Sequence, residues 1–211
     1  MENYQQNKIV EVLKLLKYMG IKEVDDSLVN GSPFEDLTDE VKNCTKCNLH
    51  KGRKNAVFGK GTINARIMLI GEAPGMEEDI QGVPFVGRAG KKLDDILSEA
   101  GIDVDEVFIT NVVKCRPPGN RNPESYEMMK CNPYLLEQIR VIHPEVIVLL
   151  GNIALSLVTG NASGITKMRG KTLEYMSIPA IPTFHPAYIL RNPGSEKIVI
   201  EDFKKALRSI S

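Results

Sequence analysis

Residues 65–75 read Ala-Arg-Ile-Met-Leu-Ile-Gly-Glu-Ala-Pro-Gly. Within them Ile67-Met68-Leu69-Ile70 is an unbroken apolar run of strand length, and Gly71 follows at once. A short apolar run without alternation is the pattern of a strand buried on both faces, as in a parallel sheet. Val107-Phe108-Ile109 and Val146-Ile147-Val148-Leu149-Leu150 repeat that pattern. A weaker run, Ala180 to Phe184, carries a proline and is expected at the periphery of the sheet. Helical stretches alternate with these runs. Arg88 to Ala100 puts Ala89, Leu93, Ile96, Leu97 and Ala100 on one face and stops at Gly101. Pro123 to Ile142 is a second helix, with a break or kink expected near Pro133. A short helix follows Gly151 through Val158, and Glu196 to Ile210 closes the chain. The alternation predicts an α/β fold: a single three-layer domain whose central, mainly parallel four-stranded sheet is flanked by helices.

Upstream of the first strand the chain changes character. Ile9, Val12, Leu13, Leu16 and Met19 recur at helical spacing, which predicts a helix from Gln5 to Met19 ended by Gly20. The stretch from Asp25 to Pro33 is polar and broken by Asn-Gly-Ser-Pro. Residues 1–33 therefore read as an N-terminal helical extension and linker, and 34–211 as the domain, opening with a short helix from Phe34 to Lys42. Hydrophobic residues make up 42 % of the 211 and charged residues 26 %, the balance of an ordinary globular protein. Lys+Arg and Asp+Glu are both 27, so net charge does not mark a nucleic-acid binder. Local patches decide that question. Apolar runs such as Val146–Leu150 fall far short of the roughly 20 residues that cross a bilayer, so no membrane partner is expected. The amphipathic, acid-bearing N-terminus is not a signal peptide. A cytoplasmic monomer is the expectation.

In parallel α/β sheets ligands bind beyond the carboxyl ends of the strands. Those ends carry Gly71-Glu72-Ala73-Pro74-Gly75, Thr110-Asn111, Gly151-Asn152 and His185-Pro186. Polar and glycine residues thus gather at one rim. Gly71–Gly75 is neither a Walker loop nor a dinucleotide fingerprint. Its two glycines let backbone approach a flat ligand closely, although a plain strand-to-loop turn reads as well.

The four cysteines fall in two polar stretches. Cys44 and Cys47 form C-x-x-C within 39–54, and Cys115 and Cys131 bound 114–131. Without a secretory signal such spacing indicates metal binding rather than disulfides. One tetrathiolate site accounts for all four. It fits a zinc ion or an iron–sulfur cluster, and spacing does not choose between them.

Five blocks in order carry a resemblance. They are C-T-K-C at 44–47, G-E-A-P-G-M-E-E-D at 71–79, G-V-P-F-V-G-R-A-G at 82–90, T-N-V-V-K-C-R-P-P at 110–118 and F-H-P-A-Y-I-L-R-N-P at 184–193, with I-T-K-M-R-G at 165–170 in support. From Val41 onward the chain resembles the family-4, iron–sulfur uracil-DNA glycosylases. The resemblance implies a [4Fe–4S] cluster on Cys44, Cys47, Cys115 and Cys131, with zinc the lesser reading. It also implies a repair enzyme that hydrolyses the N-glycosidic bond of a flipped deoxyuridine in single- or double-stranded DNA.

The implied roles follow the chemistry of each residue. Backbone of Gly71, Glu72 and Ala73 would face the base, and Phe85 would stack on it. Asn111 would read the base edge, because an amide both donates and accepts and so matches O4 and N3–H. His185 would donate to O2, where negative charge builds as uracil leaves. The best-known branch of the superfamily has an Asp where Ala73 stands. The chain would then rely more on leaving-group stabilisation or on another acid, for which Glu72 is the nearest candidate and Glu78 the next. Glu78 is also the candidate to exclude thymine in place of a bulky Tyr, since Gly75 stands at that position. Lys114, Arg116, Arg121, Lys167, Arg169, Lys171 and Arg191 would supply DNA contacts, and Tyr188, Ile189 or Leu190 a wedge for the gap left by the flipped base. His50 and His143 read as structural. The rival reading is a non-catalytic iron–sulfur or zinc DNA-binding module that meets repair partners through its N-terminal helix. An electron carrier comes last.

Overall fold

The computed structural model describes residues 33–160 and 163–210. The predicted helix Gln5–Met19 lies outside them. A six-stranded sheet organises the described residues, in the order β1-β3-β2-β4-β6-β5. The strands are β1 (Lys60–Gly61), β2 (Ile67–Gly71), β3 (Val107–Asn111), β4 (Val146–Leu150), β5 (Leu173–Tyr175) and β6 (Ile178–Thr183). The four expected strands are the parallel middle, β3-β2-β4-β6. The expected count of four misses β1 and β5, which add antiparallel edges. Both are only two or three residues long and partly exposed, so they carry no apolar run to read.

The expectation for β6 needs a correction. It is not peripheral, but lies between β4 and β5, with Ala180–Thr183 buried. Its two prolines fit because strand pairing alternates sides. Pro182 would donate toward β5 but lies beyond Leu173, where that ladder ends. Pro179 would donate toward β4 but precedes the first pair, Ile147↔Ala180. Between β5 and β6, Met176 and Ser177 both adopt positive φ (53° and 63°), the geometry of a tight type I′ hairpin.

Eight helices accompany the strands among the described residues: α1 (Pro33–Lys42), α2 (Met76–Gln81), α3 (Arg88–Ala100), α4 (Ser125–Ile142), α5 (Asn152–Thr159), α6 (Ile165–Met168), α7 (Pro186–Ile189) and α8 (Glu196–Arg208). Alternate strand residues, Ile67, Leu69, Val107, Ile109, Val146, Val148 and Ile181, share one core with Leu93, Ile96 and Leu97 of α3 and with Val199, Phe203 and Ala206 of α8. The intervening residues Met68, Ile70, Phe108, Ile147 and Leu149 are equally buried. On their side Gln138 of α4 meets Thr110. Both faces are therefore covered, which is why these runs show no alternation. α4 continues through Pro133, whose ring sits on the exposed side of the helix. It ends at His143, a left-handed cap whose N–H donates to Ile139 O.

Candidate active site and cysteine-lined cavity

The register brings the strand ends together as the parallel-sheet rule requires. Gly71 pairs with Asn111 at the end of β2 and β3. Leu150 pairs with Thr183, so Gly151 and Phe184-His185 leave the sheet side by side. Beyond these ends opens a cleft of about 520 Å³, walled by Glu72, Ala73, Pro74, Gly75, Glu78, Phe85, Asn111, His185, Tyr188 and Arg191 among others.

Two glycines make this convergence possible. A Cβ on Gly71 would collide with Asn111 Oδ1 and with the Phe85 ring. Gly151, at φ 89°, leaves room for the His185 side chain, whose Cβ lies 3.2 Å from where a Gly151 Cβ would stand. Phe85 itself is held at φ 52°, a left-handed conformation rare for a bulky residue. Several contacts hold it there. Lys60 Nζ donates to Phe85 O (3.3 Å), and Gly90 lets α3 start directly against that carbonyl. Glu78 accepts N–H bonds from Gly75, Val86 and Gly87, each at 3.1 Å. Glu78 is thus a clamp between the Gly71–Gly75 turn and the Phe85 loop, and both its oxygens are engaged. Its neighbour Asp79 is also no solvated acid: it is buried and accepts from Lys54 N and Asn55 N.

Asn111 is 2 % exposed, and its Oδ1 is buried with no hydrogen-bond partner. An unpaired buried amide oxygen is costly, and in a cleft wall it marks a ligand position. His185 stacks against Phe85 with ring centroids 5.6 Å apart. Its Nδ1 accepts from Ala187 N at 3.1 Å. The neutral ring must then carry its proton on Nε2. Burial and the Arg191 guanidinium push the imidazole down to about 4, with Glu78 acting the other way, so the ring is neutral at pH 7. Burial raises the Glu72 carboxyl above its ordinary range. The carbonyls of Gly71 and Glu72 accept from Val112 N and Val113 N. These bonds tie the start of the Gly71–Gly75 turn to the chain beyond β3.

The basic residues sort differently from expectation. Lys114 is fully buried and touches no solvent. Arg169 is locked to the buried Asp202 and to Ile198 O, so its guanidinium pins α6 against α8. Arg121 is paired with Glu127 through both nitrogens, and Arg116 with Asn120. Lys167 is exposed on α6, and Arg191 is exposed at the cleft. Of the wedge candidates, Ile189 is a core residue at 1 % exposure and Tyr188 stacks on Phe184 at 4.6 Å. Leu190 remains half-buried just past α7. The loop Pro117, Asn120, Arg121 and Asn122 also lines the cleft. Its Pro-Gly-Asn composition signals a loop, but nothing local says that it folds over the strand ends.

Cys44, Cys47, Cys115 and Cys131 line one second, much smaller cavity with Val41, His50, Arg53, Lys114, Lys130 and Tyr134. All four are free thiols, the last two buried. Arg53 Nη1 donates to Cys115 Sγ (3.0 Å), Lys114 N to Cys131 Sγ (3.3 Å) and Lys46 N to Cys44 Sγ (3.5 Å). His50 Nδ1–H donates to Cys47 O (2.7 Å), a structural role. Burial pushes the Cys115 thiol up, and Cys131 to about 11. Thiolates at such positions need a cationic partner between them, and N–H···S bonds are the kind of outer contact that thiolate-bound clusters receive.

The model of the uracil DNA glycosylase superfamily matches residues 58–210. The type-4 uracil-DNA glycosylase of Thermotoga maritima is 50 % identical over 177 residues, 82 % of this chain and 92 % of its own. That of Saccharolobus solfataricus is 47 % identical over 184 residues, 83 % and 85 % of the two chains. That of Archaeoglobus fulgidus is 41 % identical over 180 residues, 82 % and 90 %. This chain belongs to the uracil-DNA glycosylase superfamily, in its type-4 branch. For a uracil-DNA glycosylase fold, the cleft walls at Glu72, Phe85, Asn111 and His185 stand where the strand-end rule predicts a site.

Proposed function

We propose that this protein removes uracil from DNA by hydrolysing the N-glycosidic bond of a flipped deoxyuridine, leaving an abasic site. The observation that carries the reading is the unpaired Asn111 Oδ1 in the cleft. The Asn111 amide receives N3–H and donates to O4, a pairing that the amino group of cytosine would break. Phe85 offers a ring face to the pyrimidine. As the bond to the sugar lengthens, negative charge gathers on the base. The Nε2–H of neutral His185 then meets O2, and its bond strengthens only in the transition state. Because Ala187 N–H occupies Nδ1, the tautomer is set before substrate arrives. Glu72, the cleft carboxylate whose oxygens no clamp engages, orients the attacking water. Glu78 excludes thymine only indirectly, by fixing the turn at Gly75. Arg191, Leu190 and Lys167 meet the DNA, and Arg169 supports them by holding α6.

The four cysteines hold a [4Fe–4S] cluster. Four thiols around one cavity, two of them buried, suit a thiolate-held polynuclear centre. When bound, such a cluster would supply a cationic iron core to balance the four thiolates, two of them at buried positions. The test of function is excision from a uracil oligonucleotide by the purified protein. Abasic sites should form with uracil, not with thymine, and His185→Ala should abolish most of the activity. Failure on uracil by cluster-loaded protein would return the non-catalytic DNA-binding module to first place.

A further inference from the structure

The roles assigned above give no work to the most deeply buried charge among the described residues. Lys114 is 1 % exposed. Its ammonium donates to Thr110 Oγ1 (2.7 Å), Asn111 O (2.7 Å) and Gln138 Oε1 (2.6 Å), which uses all three of its donors. The acceptors are fixed in turn. Gln138 Nε2 donates to Phe58 O (2.9 Å), and Thr110 Oγ1 lies 2.8 Å from the same carbonyl. On its main-chain side Lys114 N donates to Cys131 Sγ, and Lys114 O accepts from Val57 N. The residue therefore spans the space between the cysteine cavity and the residue whose amide faces the cleft.

We propose that Lys114 is a positioning residue for base recognition: it fixes the strand end that carries Asn111 and couples it to the cysteine-lined cavity. The inference rests on the reading of Asn111 as the residue that pairs with the uracil edge. Asn111 is the last residue of β3, and its Oδ1 has no partner to hold it in place. Orientation of its amide must come from the backbone. Lys114 supplies that from the carbonyl, while Val112 N and Val113 N, bonded to Gly71 O and Glu72 O, guide the chain beyond. Removing the ammonium strands three buried acceptors and frees this turn. A shift of about 1 Å at a recognition group is enough to slow a reaction by ~10²-fold.

The test is a double-mutant cycle on the cluster-loaded enzyme, read by single-turnover excision of uracil from an oligonucleotide. Lys114→Met should slow excision at least ~10-fold in the wild-type background and less than ~2-fold in an Asn111→Ala background. A structural role would cut both backgrounds alike, so equal losses overturn the proposal. So does an undiminished rate for Lys114→Met. Visible absorbance of the cluster and the melting temperature check loading and folding. If Lys114→Met fails either, Gln138→Leu, which removes one acceptor of Lys114 and touches no cysteine, goes through the same cycle with the same deciding outcomes. Asn111→Ala alone separates the two ideas. If it costs nothing, the reading of Asn111 falls, and if it is slow while Lys114 acts independently, only the coupling falls.

Discussion

Acidification from pH 7 to pH 4 titrates His185 in a way that the structure dictates. Burial and the neighbouring Arg191 hold its imidazole at about 4 instead of the ordinary 6.5. The unfolded chain takes up a proton below 6.5, and the folded chain refuses it until about 4. The folded state therefore loses stability as the pH falls through this window. The gap of about 2.5 pH units, at ~1.4 kcal/mol per unit, gives about 3 kcal/mol lost by pH 4. The rate follows the protonation state of the folded protein. Neutral His185 is the competent donor, so its titration leaves single-turnover excision level from pH 7 to about 5 and lowers it only toward 4. A second proton on Nδ1 would face the Ala187 N–H now 3.1 Å away. Two donors cannot share that position, so the ring must turn and withdraw Nε2. The assay combines rates at saturating enzyme across this range with a proton NMR titration of the His185 ring. His185→Gln serves as the reference in urea melts at pH 7 and pH 4.5, and most of the acid loss should vanish in it. A wild-type rate that falls with a midpoint near 6.5, in step with the ring titration, would refute the reasoning.

Gly71→Ala should slow excision by ~10²-fold and also lower the melting temperature, because its Cβ displaces Asn111 and the core ring of Phe85. Glu78→Gln replaces one oxygen of the clamp with an amino group facing N–H donors, and should lower stability by about 1.5–3 kcal/mol in urea melts. Arg169→Ala leaves Asp202 buried without its guanidinium and should cost about 3–5 kcal/mol, read in urea melts. Lys167→Ala should spare stability while reducing the salt slope of DNA binding by ~1. Cys131→Ser should abolish bound iron and visible absorbance, measured on protein purified without oxygen.

The strands of the parallel middle were legible because burial on both faces removes alternation, and Ile67–Ile70 and Val146–Leu150 have nothing else to be. Arg88–Ala100 was equally plain, with an apolar face and a glycine stop. β1 and β5 were not legible, since two or three residues carry no periodicity, and the place of β6 was hidden by prolines whose harmlessness depends on where neighbouring ladders end. At the site, strand-end chemistry pointed to Glu72, Asn111 and His185. What the sequence could not carry was the state of each side chain. Whether Arg169 meets DNA or Asp202, or Glu78 meets a base or three amides, depends on residues up to tens of positions away. Lys114 looked like a surface charge beside a cysteine, and only the packing of α4 over β3 makes it a buried one.

The cysteines span residues 44 to 131, whereas His185 follows the last strand of the sheet. In chain order all four thiols precede β4 and β6. β2 meanwhile waits for its second neighbour, because Ile67 lies opposite Val146. The growing chain thus owns a full ligand set before it owns a finished sheet. Until β4 is made, β2 keeps one apolar edge unpaired, the kind of edge through which incomplete chains aggregate.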